Sequence, residues 1–515
     1  MISVCLLGLL AAALAFVLPA CRKQGEAAPD TAASNDITTA EEKTRPDVLL
    51  VSIDTLRWDH CSLYGYERKT TPQLERIAAE GILFESAYAP TATTAPSHAT
   101  LFTGLYPYSH GVLKNGYEMS QKNVVVSEIF KKLGYKTAAF ASSMLLRDKM
   151  GYSQGYTHYI FGAQNKRTAD VTADDAIVWL DKQDALDRDP VFLWVHLRDP
   201  HEPYNAPESF GDPFNYREME YASYEQMVAR YDTEIAFSDH HLGRIVDRLE
   251  AMAGEDGALM VITADHGESF LEHGWRGHGA QIYEENIRVP LVIRWKGHLE
   301  GGKVIKDHVG LVDMLPTMLG LIGSLPDVVV FQGVDLTPLI TDDGVVDAER
   351  YLFFQRRPYE TAGVLRAKKL GEFTEAEKPV IFGEGIYVAG DKYAVRFGKW
   401  KYLEATEEEL SRELYDVVAD PDEKANLADQ HPDIVKECSR EIGRWRRETV
   451  SFDIAPKTQG LTAEQLENLA ALGYLEPEVK EDDELDEDGK KGGKRGKDKR
   501  KKKQRIDENF IDDDE

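Results

Sequence analysis

The sequence predicts an α/β protein in which helices pack on both faces of a central sheet. Short apolar runs rich in β-branched residues alternate with longer segments of helical spacing through roughly the first 325 residues. Such alternation is typical of a layered helix–sheet–helix domain. At 515 residues, 42% of them hydrophobic, the chain can bury a large core and has the length of about two to three domains.

The strands are assigned from their apolar runs, and the helices from capping residues and apolar spacing. Thr71 followed by Pro72 is a good helix start. Tyr231 and Ile235 belong to an apolar pattern of three- to four-residue spacing that predicts one long helix with a core face. The predicted strands lie at 47–53, 82–88, 135–141, 191–196, 258–264 and 290–295. The predicted helices lie near 72–80, 96–103, 124–133, 170–183, 222–250 and 311–322.

The pattern changes beyond about residue 330. Shorter strand-like pieces at 379–388, 391–397 and 399–404 precede a helix near 431–449, which predicts a smaller antiparallel-sheet subdomain. We therefore expect a first domain over 46–325, a C-terminal subdomain over 326–475 and a charged, disordered tail over 476–515. That tail is acidic, then basic, then acidic again.

Charge and cysteine content exclude some classes of protein. The formal net charge of −28 argues against general affinity for nucleic acid. Four cysteines do not make a disulfide framework, and two of them lie in the leader. We expect the other two, Cys61 and Cys438, to be unlinked thiols rather than a disulfide.

The first 45 residues predict export. Residues 2–20 are almost wholly apolar and end in Leu18-Pro19-Ala20-Cys21, so 1–21 is interpreted as a lipoprotein-type signal peptide with Cys21 lipidated. A plain signal peptide or an uncleaved anchor is the alternative. Residues 22–45 are polar and predict a flexible linker. These features predict an exported bacterial envelope protein in the periplasm or at the cell surface, anchored to the membrane by lipid.

A hydroxyl nucleophile is suggested by residues 91–104. Pro96 favours the first turn of a helix, and Gly104 is a stop signal. A threonine just before that helix lies beside unpaired backbone N–H groups and the positive end of the helix dipole, which suits a developing alkoxide. By spacing alone, either Thr93 or Thr94 fits. Such a hydroxyl needs a base or a metal to become a good nucleophile.

Two apolar strands end in residues that bind metals. Asp54 closes the run 47–54, and Asp265 with His266 closes the run 258–266. Ligands bind beyond the carboxyl ends of strands in α/β sheets, so the two runs suggest one shared site. Two carboxylates, an imidazole and the threonine oxygen suit a borderline divalent cation.

On these residues the chain resembles the sulfatase branch of the alkaline phosphatase superfamily. The nucleophile signature Cys or Ser, any residue, Pro, Ser, Arg is represented by residues 94–98. The further similar segments, in the family's order over roughly 46–475, are 52–57, 199–204, 265–268, 278–290 and 414–427. The resemblance implies an alkaline-phosphatase-like three-layer α/β/α sandwich with a mixed central sheet, plus a smaller C-terminal α+β subdomain. It also implies that Thr94 is the nucleophile and that the metal ligands are Asp54, Thr94, Asp265 and His266.

Departures from the sulfatase pattern favour phosphorus over sulfur. Sulfatases convert their Cys or Ser to formylglycine, and the extra methyl of Thr94 rules out that aldehyde. His98 occupies the position at which sulfatases usually have an arginine. Ser142-Ser143-Met144 occupies the position at which a Lys-x-His segment is expected. A Thr nucleophile with an Asp-His ligand pair is similar to the superfamily's phosphotransferases and phosphodiesterases.

The resulting prediction is a metal-dependent hydrolase or transferase that acts on phosphoesters, with phosphodiesters favoured. His201 or His278 would stabilise the transferring group or protonate the leaving oxygen. Zinc or manganese is favoured, calcium or magnesium is possible, and a second metal through His201 and His278 stays open. The substrate would be a small-molecule, glycan or lipid ester. A sulfate-ester hydrolase and a non-catalytic surface-binding lipoprotein are the alternatives.

Several polar residues have simpler interpretations. Asp232 and Asp239 on the long helix are predicted to be solvated rather than metal-binding. His273 and His278, each followed by glycine, could line the site or belong to a loop. His98, His196 and Asp199 are weaker site candidates.

Overall fold

An eight-stranded mixed sheet organises the larger part of the molecule. The computed structural model describes residues 45–162, 167–185, 189–325, 329–341, 344, 350–357, 391–406 and 412–448. The predicted leader, most of the linker, the strand at 379–388 and the charged tail lie outside these residues. The described residues, all of them from Arg45 on, form one unit. The boundary predicted at 325 stays a prediction.

The strand order in the large sheet is β10-β2-β9-β6-β1-β5-β3-β4, and β9 runs antiparallel to both of its neighbours. The three central strands β6, β1 and β5 are parallel and buried along their whole length, as expected for sheets covered on both faces. The strands are β1 Asp47–Ile53, β2 Ile82–Tyr88, β3 Lys136–Ala141, β4 His158–Phe161, β5 Val191–Leu197, β6 Ala258–Ala264, β9 Arg288–Trp295 and β10 Lys303–Gly310. A separate pair, β7 Ser269–Phe270 and β8 Arg276–Gly277, forms a short hairpin-like ribbon.

Helices surround this sheet and agree closely with the predicted segments. They are α1 Pro72–Ala79, α2 Thr94–Thr103, α3 Pro107–His110, α4 Val126–Lys132, α5 Ala169–Asp184, α6 Tyr224–Ala253, α7 Glu284–Ile287, α8 Met314–Leu321 and α9 Thr337–Thr341. The start of α2 differs from the prediction: the helix begins at Thr94, so this residue lies in its first turn rather than before it. No helix in the described part of the chain is long and apolar enough to cross a bilayer.

The smaller sheet is antiparallel, with strand order β11-β12-β13-β14. Its strands are β11 Leu352–Arg356, β12 Lys392–Phe397, β13 Trp400–Ala405 and β14 Glu413–Asp416, and the helix that follows is α10 Pro432–Glu448. That helix buries Val435, Cys438, Ile442 and Trp445 against the sheet, at the three- to four-residue spacing of one helix face. The predicted fold class, a three-layer sandwich with a mixed sheet plus an α+β subdomain, is confirmed.

Two aspartates on α6 contradict the prediction that they are solvated. Asp232 is fully buried, where it accepts hydrogen bonds from Tyr66 and Arg68 and contacts His60 Nδ1 at 2.7 Å. Asp239 is 2% exposed and accepts the N–H groups of the first turn of α1. Both carboxylates are therefore buried against residues 60–74, where hydrogen bonds compensate for their removal from water. The two described cysteines, Cys61 and Cys438, are free thiols, as predicted.

Candidate active site at the carboxyl ends of the central strands

The candidate ligands lie at the ends of two paired strands. In the ladder between β1 and β6, Ile53 lies opposite Ala264, and each is followed directly by an aspartate. Asp54 and Asp265 therefore leave the sheet side by side at its carboxyl edge. Both are buried, with 1% and 0% of their surface exposed.

These carboxylates, with His266, form a group whose donor atoms all lie within 4.8 Å of one another. Asp54 Oδ1 and Asp265 Oδ2 have no hydrogen-bond partner among the described residues. His266 donates its Nδ1–H to Gly267 O at 2.9 Å, which leaves the Nε2 lone pair free for a ligand. Nε2 lies 3.7 Å from Asp54 Oδ1 and 3.5 Å from Asp265 Oδ2.

Electrostatics explain why this group fits a cation. Burial raises the pKa of Asp265 well above its usual range, and the neighbouring charge of Asp54 raises it further. Burial lowers the pKa of His266 to about 3, so its imidazole is neutral at physiological pH. Two orphaned carboxylate oxygens and an unprotonated imidazole are ligand types suited to one divalent ion.

Thr94 lies beside this group. It is the first residue of α2, is fully buried, and places its Oγ1 3.4 Å from His266 Nε2. Two further contacts hold the start of α2 at the sheet edge: Ser97 Oγ donates to Asp265 O at 2.6 Å, and the N–H of Ala95 donates to Asn115 Oδ1 at 2.8 Å. The hydroxyl of Thr93 lies instead 3.2 Å from that of Thr91.

His98 does not direct a free nitrogen at the site. Its Nδ1 lies 2.8 Å from Thr94 O, and its Nε2 lies 2.8 Å from Ser52 Oγ. Trp194 Nε1 donates to the same Ser52 oxygen at 3.1 Å. His98 therefore anchors the backbone of Thr94, one helical turn before it, to strand β1.

His201 and His278 lie next to each other above His266. The His278 ring centroid is 4.7 Å from that of His266 and 4.9 Å from that of His201. His201 Nδ1–H donates to Glu202 O at 2.7 Å. Burial lowers the pKa of His201, and the positive charge of Arg198 lowers it further, so this imidazole is neutral.

His278 differs from the other two histidines because a buried carboxylate accompanies it. Burial alone would lower its pKa, but the charge of Glu268, whose Oε1 lies 3.0 Å from His278 Nδ1, raises it above the ordinary value. Glu268 is fully buried. This role of Glu268 was not predicted from the sequence, although its position two residues after His266, at the end of segment 265–268, was the signal that could have identified it.

Thr55 carries backbone strain at the edge of the site. Its φ of 56° lies in the left-handed region, which non-glycine residues seldom adopt. Its N–H donates to Asp265 Oδ1 at 3.2 Å, and its carbonyl accepts from Tyr231 OH at 2.6 Å. These contacts fix Asp265 relative to the end of β1.

Two candidates lie apart from the ligand group. His273 Nδ1 contacts Glu285 Oε1 at 2.8 Å, and its Nε2 contacts Glu423 O at 3.2 Å, so it links loops rather than lining the site. Asp199 accepts the N–H of Ala169 at 2.8 Å at the start of α5.

The chain is similar in sequence to sulfatases. A family model described as Sulfatase matches residues 46–324. An ulvan-active sulfatase of Formosa agariphila is 25% identical over 395 residues, covering 67% of this chain and 76% of that one. An arylsulfatase of Clostridium perfringens is 24% identical over 383 residues, covering 58% of this chain and 79% of that one.

Solved structures of two kinds share the fold. A phosphonate monoester hydrolase of Agrobacterium radiobacter superposes with a TM-score of 0.62 at 22% identity, covering 79% of this chain and 96% of that one. A structure in complex with its substrate D-glucosamine-2-N,6-O-disulfate superposes with a TM-score of 0.64 at 20% identity, covering 78% and 98%. At such identities the likeness establishes the fold and leaves the choice between phosphorus and sulfur to the site.

Proposed function

The chain belongs to the sulfatase family, and we propose that it hydrolyses or transfers phosphoesters, phosphodiesters in particular, with Thr94 as nucleophile. Members of this family are metal-dependent ester hydrolases, which sets aside the non-catalytic alternative. The observation that carries the proposal is the hydroxyl of Thr94, buried at the start of α2 and 3.4 Å from His266 Nε2. A threonine cannot become formylglycine, so the hydroxyl itself must attack.

Asp54, Asp265, His266 and Thr94 would hold the metal. Bound there, a divalent cation would lower the pKa of the Thr94 hydroxyl and screen charge on the phosphoryl oxygens. The imidazole donor favours zinc or manganese, while the oxygen donors also admit calcium or magnesium. A second metal through His201 and His278 receives no support, because His278 Nδ1 is already paired with Glu268 Oε1 at 3.0 Å.

The protein's own groups account for the remaining requirements of the reaction. The positive end of the dipole of the ten-residue helix α2 favours negative charge beside Thr94, although the N–H of Ala95 is engaged by Asn115 Oδ1 and Pro96 has none. The Thr94 hydroxyl gives its proton to solvent, its oxygen forms a bond to phosphorus, and the bond from phosphorus to the leaving oxygen breaks. His278, whose pKa Glu268 raises, gives that oxygen a proton. In the second step water or an alcohol attacks the phosphorus, neutral His201 accepts the proton of the attacking hydroxyl, and the bond from phosphorus to the Thr94 oxygen breaks.

A sulfate ester is the second candidate substrate, and the printed names of the relatives favour it. The ulvan-active sulfatase and the arylsulfatase act on sulfate esters by name. For either chemistry the substrate is a small-molecule, glycan or lipid ester. Export, lipidation of Cys21 and a location in the periplasm or at the cell surface complete the proposal, and they depend on the leader sequence alone.

The test compares three chromogenic esters and traps the intermediate. Protein loaded with zinc or manganese is assayed on bis(4-nitrophenyl) phosphate, 4-nitrophenyl phosphate and 4-nitrophenyl sulfate. We expect the phosphodiester to react fastest, and acid quenching to trap a phosphorylated peptide containing Thr94. Thr94→Ala should lose the adduct and on the order of 10³-fold or more of the rate. Thr94→Ser should keep measurable activity, because a primary hydroxyl can still attack.

Thr93→Ala is the matched control, since its side chain makes no capping hydrogen bond to α2 and faces Thr91. It should retain activity within a few-fold. Faster turnover of the sulfate than of either phosphoester would overturn the preference for phosphorus and leave the nucleophile assignment standing. Thr94→Cys, expressed in a host with formylglycine machinery, gives an independent answer: a gain of sulfatase activity would identify a sulfate pocket.

A further inference from the structure

A second group of metal-binding residue types lies beside the first. His98, His196 and Asp265 place their candidate ligand atoms within 4.8 Å of one another, and all three are fully buried. An imidazole binds a cation only through an unprotonated nitrogen. The hydrogen bonds of the two histidines therefore decide whether this group can hold a second ion.

The nitrogens of His98 are both engaged. Nδ1 faces the carbonyl oxygen of Thr94 at 2.8 Å, so Nδ1 must carry the proton and donate. Nε2 then accepts from Ser52 Oγ at 2.8 Å, whose own oxygen accepts from Trp194 Nε1 at 3.1 Å. This chain of donors runs in one direction only and leaves His98 no lone pair for a metal.

His196 has the opposite tautomer. The N–H of Ser142 points at its Nδ1 from 3.3 Å, while also lying 3.2 Å from the His196 carbonyl oxygen. A donor facing Nδ1 requires Nδ1 to be unprotonated, which places the proton on Nε2. Nε2 has no hydrogen bond of normal length in the described part of the chain, and lies 3.5 Å from Asp54 Oδ2. His196 is thus a donor aimed at a candidate metal ligand.

We propose that His196 is a positioning residue that donates its Nε2–H to Oδ2 of Asp54 and so holds Oδ1 toward His266 and the cation. The proposal rests on the metal site of the proposed function. The two oxygens of Asp54 face different partners: Oδ1 lies 3.7 Å from His266 Nε2, and Oδ2 lies 3.5 Å from His196 Nε2. Partners of this kind fix the orientation of a ligand and tune its affinity for the metal.

Metal affinity is the first test. His196→Leu removes the donor, and His196→Gln keeps an N–H near the position of Nε2. Dissociation constants for zinc, measured by competition with a chromogenic chelator, should rise about 10- to 100-fold in His196→Leu and recover in part in His196→Gln. His110 supplies the matched control, because it is equally buried, accepts the N–H of Val112 at Nδ1 and contacts Thr100 Oγ1 through Nε2. His110→Leu should leave the zinc affinity unchanged even where it lowers the melting temperature.

The second test uses the unaltered protein and does not depend on a variant that folds. In ¹⁵N-labelled protein loaded with ¹¹³Cd, NMR should show cadmium coupling to one buried histidine nitrogen, Nε2 of His266. His196 should remain protonated at Nε2. Cadmium coupling to His196 or His98 would make that residue a ligand and overturn the proposal, as would a zinc affinity of His196→Leu within about twofold of the wild type. A wild-type protein that binds no cation at all would instead refute the proposed metal site itself.

Discussion

Two buried polar clusters of this molecule differ in whether a cation accompanies their carboxylates. The ligand cluster (Asp54, Asp265 and His266) leaves two carboxylate oxygens without a hydrogen-bond partner in the described residues. The interface cluster (Lys401, Glu284 and Glu423) is buried to the same degree, but Lys401 Nζ lies 3.1 Å from Glu284 and 2.9 Å from Glu423. Among the residues that the structure describes, the first cluster has no cation of its own beside its carboxylates, whereas the second contains one.

The difference distinguishes a cluster that can bind a cation from a cluster that joins the two sheets. Glu284 begins α7 beside the large sheet, while Lys401 belongs to β13 and Glu423 to the turn after β14. Glu423 also accepts the N–H of Glu284 at 2.6 Å. Buried ion pairs between these elements fix how the two sheets meet. Buried like charges with no partner are costly, so they indicate a site that binds a cation.

The largest effect on stability is expected at the interface cluster. Lys401→Met removes the cation and leaves two buried carboxylates facing each other, which should lower the free energy of unfolding by about 3–5 kcal/mol. Urea unfolding followed by tryptophan fluorescence measures the loss. Zinc affinity of the folded fraction should not change, because the ligand cluster is untouched.

A surface pair on the same sheet is the control for that loss. Lys399 Nζ lies 2.6 Å from Asp416 Oδ2, but the lysine side chain is 52% exposed. Lys399→Met should therefore cost less than about 1 kcal/mol. Equal losses in the two variants would mean that burial does not distinguish these pairs, and the comparison would fail.

A smaller effect of opposite sign is expected at the ligand cluster. In metal-free protein at pH 7–8, Asp265→Asn should raise the free energy of unfolding by about 1–3 kcal/mol, because it removes a buried carboxylate whose pKa the fold raises. An asparagine oxygen can still accept the N–H groups of Thr55 and His266 that Asp265 Oδ1 accepts now. The folded state favours the protonated acid, so wild-type stability falls as pH rises, and the gain from the substitution grows with it.

Added zinc should make the wild type more stable than Asp265→Asn. The wild type gains about 2.7 kcal/mol at a free zinc concentration 100 times its dissociation constant, and Asp265→Asn should gain little. Thermal unfolding with and without a chelator measures both states. A metal-free Asp265→Asn protein less stable than the wild type would show that Asp265 serves the fold, contrary to the contrast drawn between the clusters.

The sequence identified the elements that carry strong local signals. The central strands β1, β5 and β6 read as continuous apolar runs because both of their faces are buried. Of the strands in the large sheet, β4 and β10 were missed. β4 spans four half-buried residues at one edge of the sheet, and β10, at the other edge, mixes lysines and Asp307 with its apolar residues. Edge strands of this kind lack the apolar run on which the assignment depended.

The part of the site that could be predicted from the sequence is the set of metal-binding residue types that follow the ends of strands. Asp54, Asp265 and His266 follow β1 and β6, and the structure brings them together. The tautomer of His196 could not be predicted, since it depends on a contact between segments far apart in the chain, the 3.3 Å contact from Ser142 N to His196 Nδ1. The burial of Asp232 was missed for the same reason, because three partners from residues 60–68 surround it.

A last expected effect concerns a histidine that belongs to neither cluster and tests the sign of the pH argument. Burial lowers the pKa of His110 to about 3 from an ordinary 6.5. The fold therefore favours the neutral imidazole, and its contribution to stability is complete above pH 6.5 and is lost as the pH falls toward 3, the reverse of the trend at Asp265. Between pH 6 and 4, metal-free wild type should lose about 1.4 kcal/mol per pH unit more than His110→Gln, which corresponds to one proton. Urea unfolding at pH 4, 5, 6 and 7 measures this difference in slope. His98 and His266 are present in both proteins and cancel in the comparison, and so does the constant cost of the substitution. Identical slopes would mean that His110 takes up its proton in the folded state, and burial alone would then be an inadequate explanation for the neutral histidine in the ligand cluster as well.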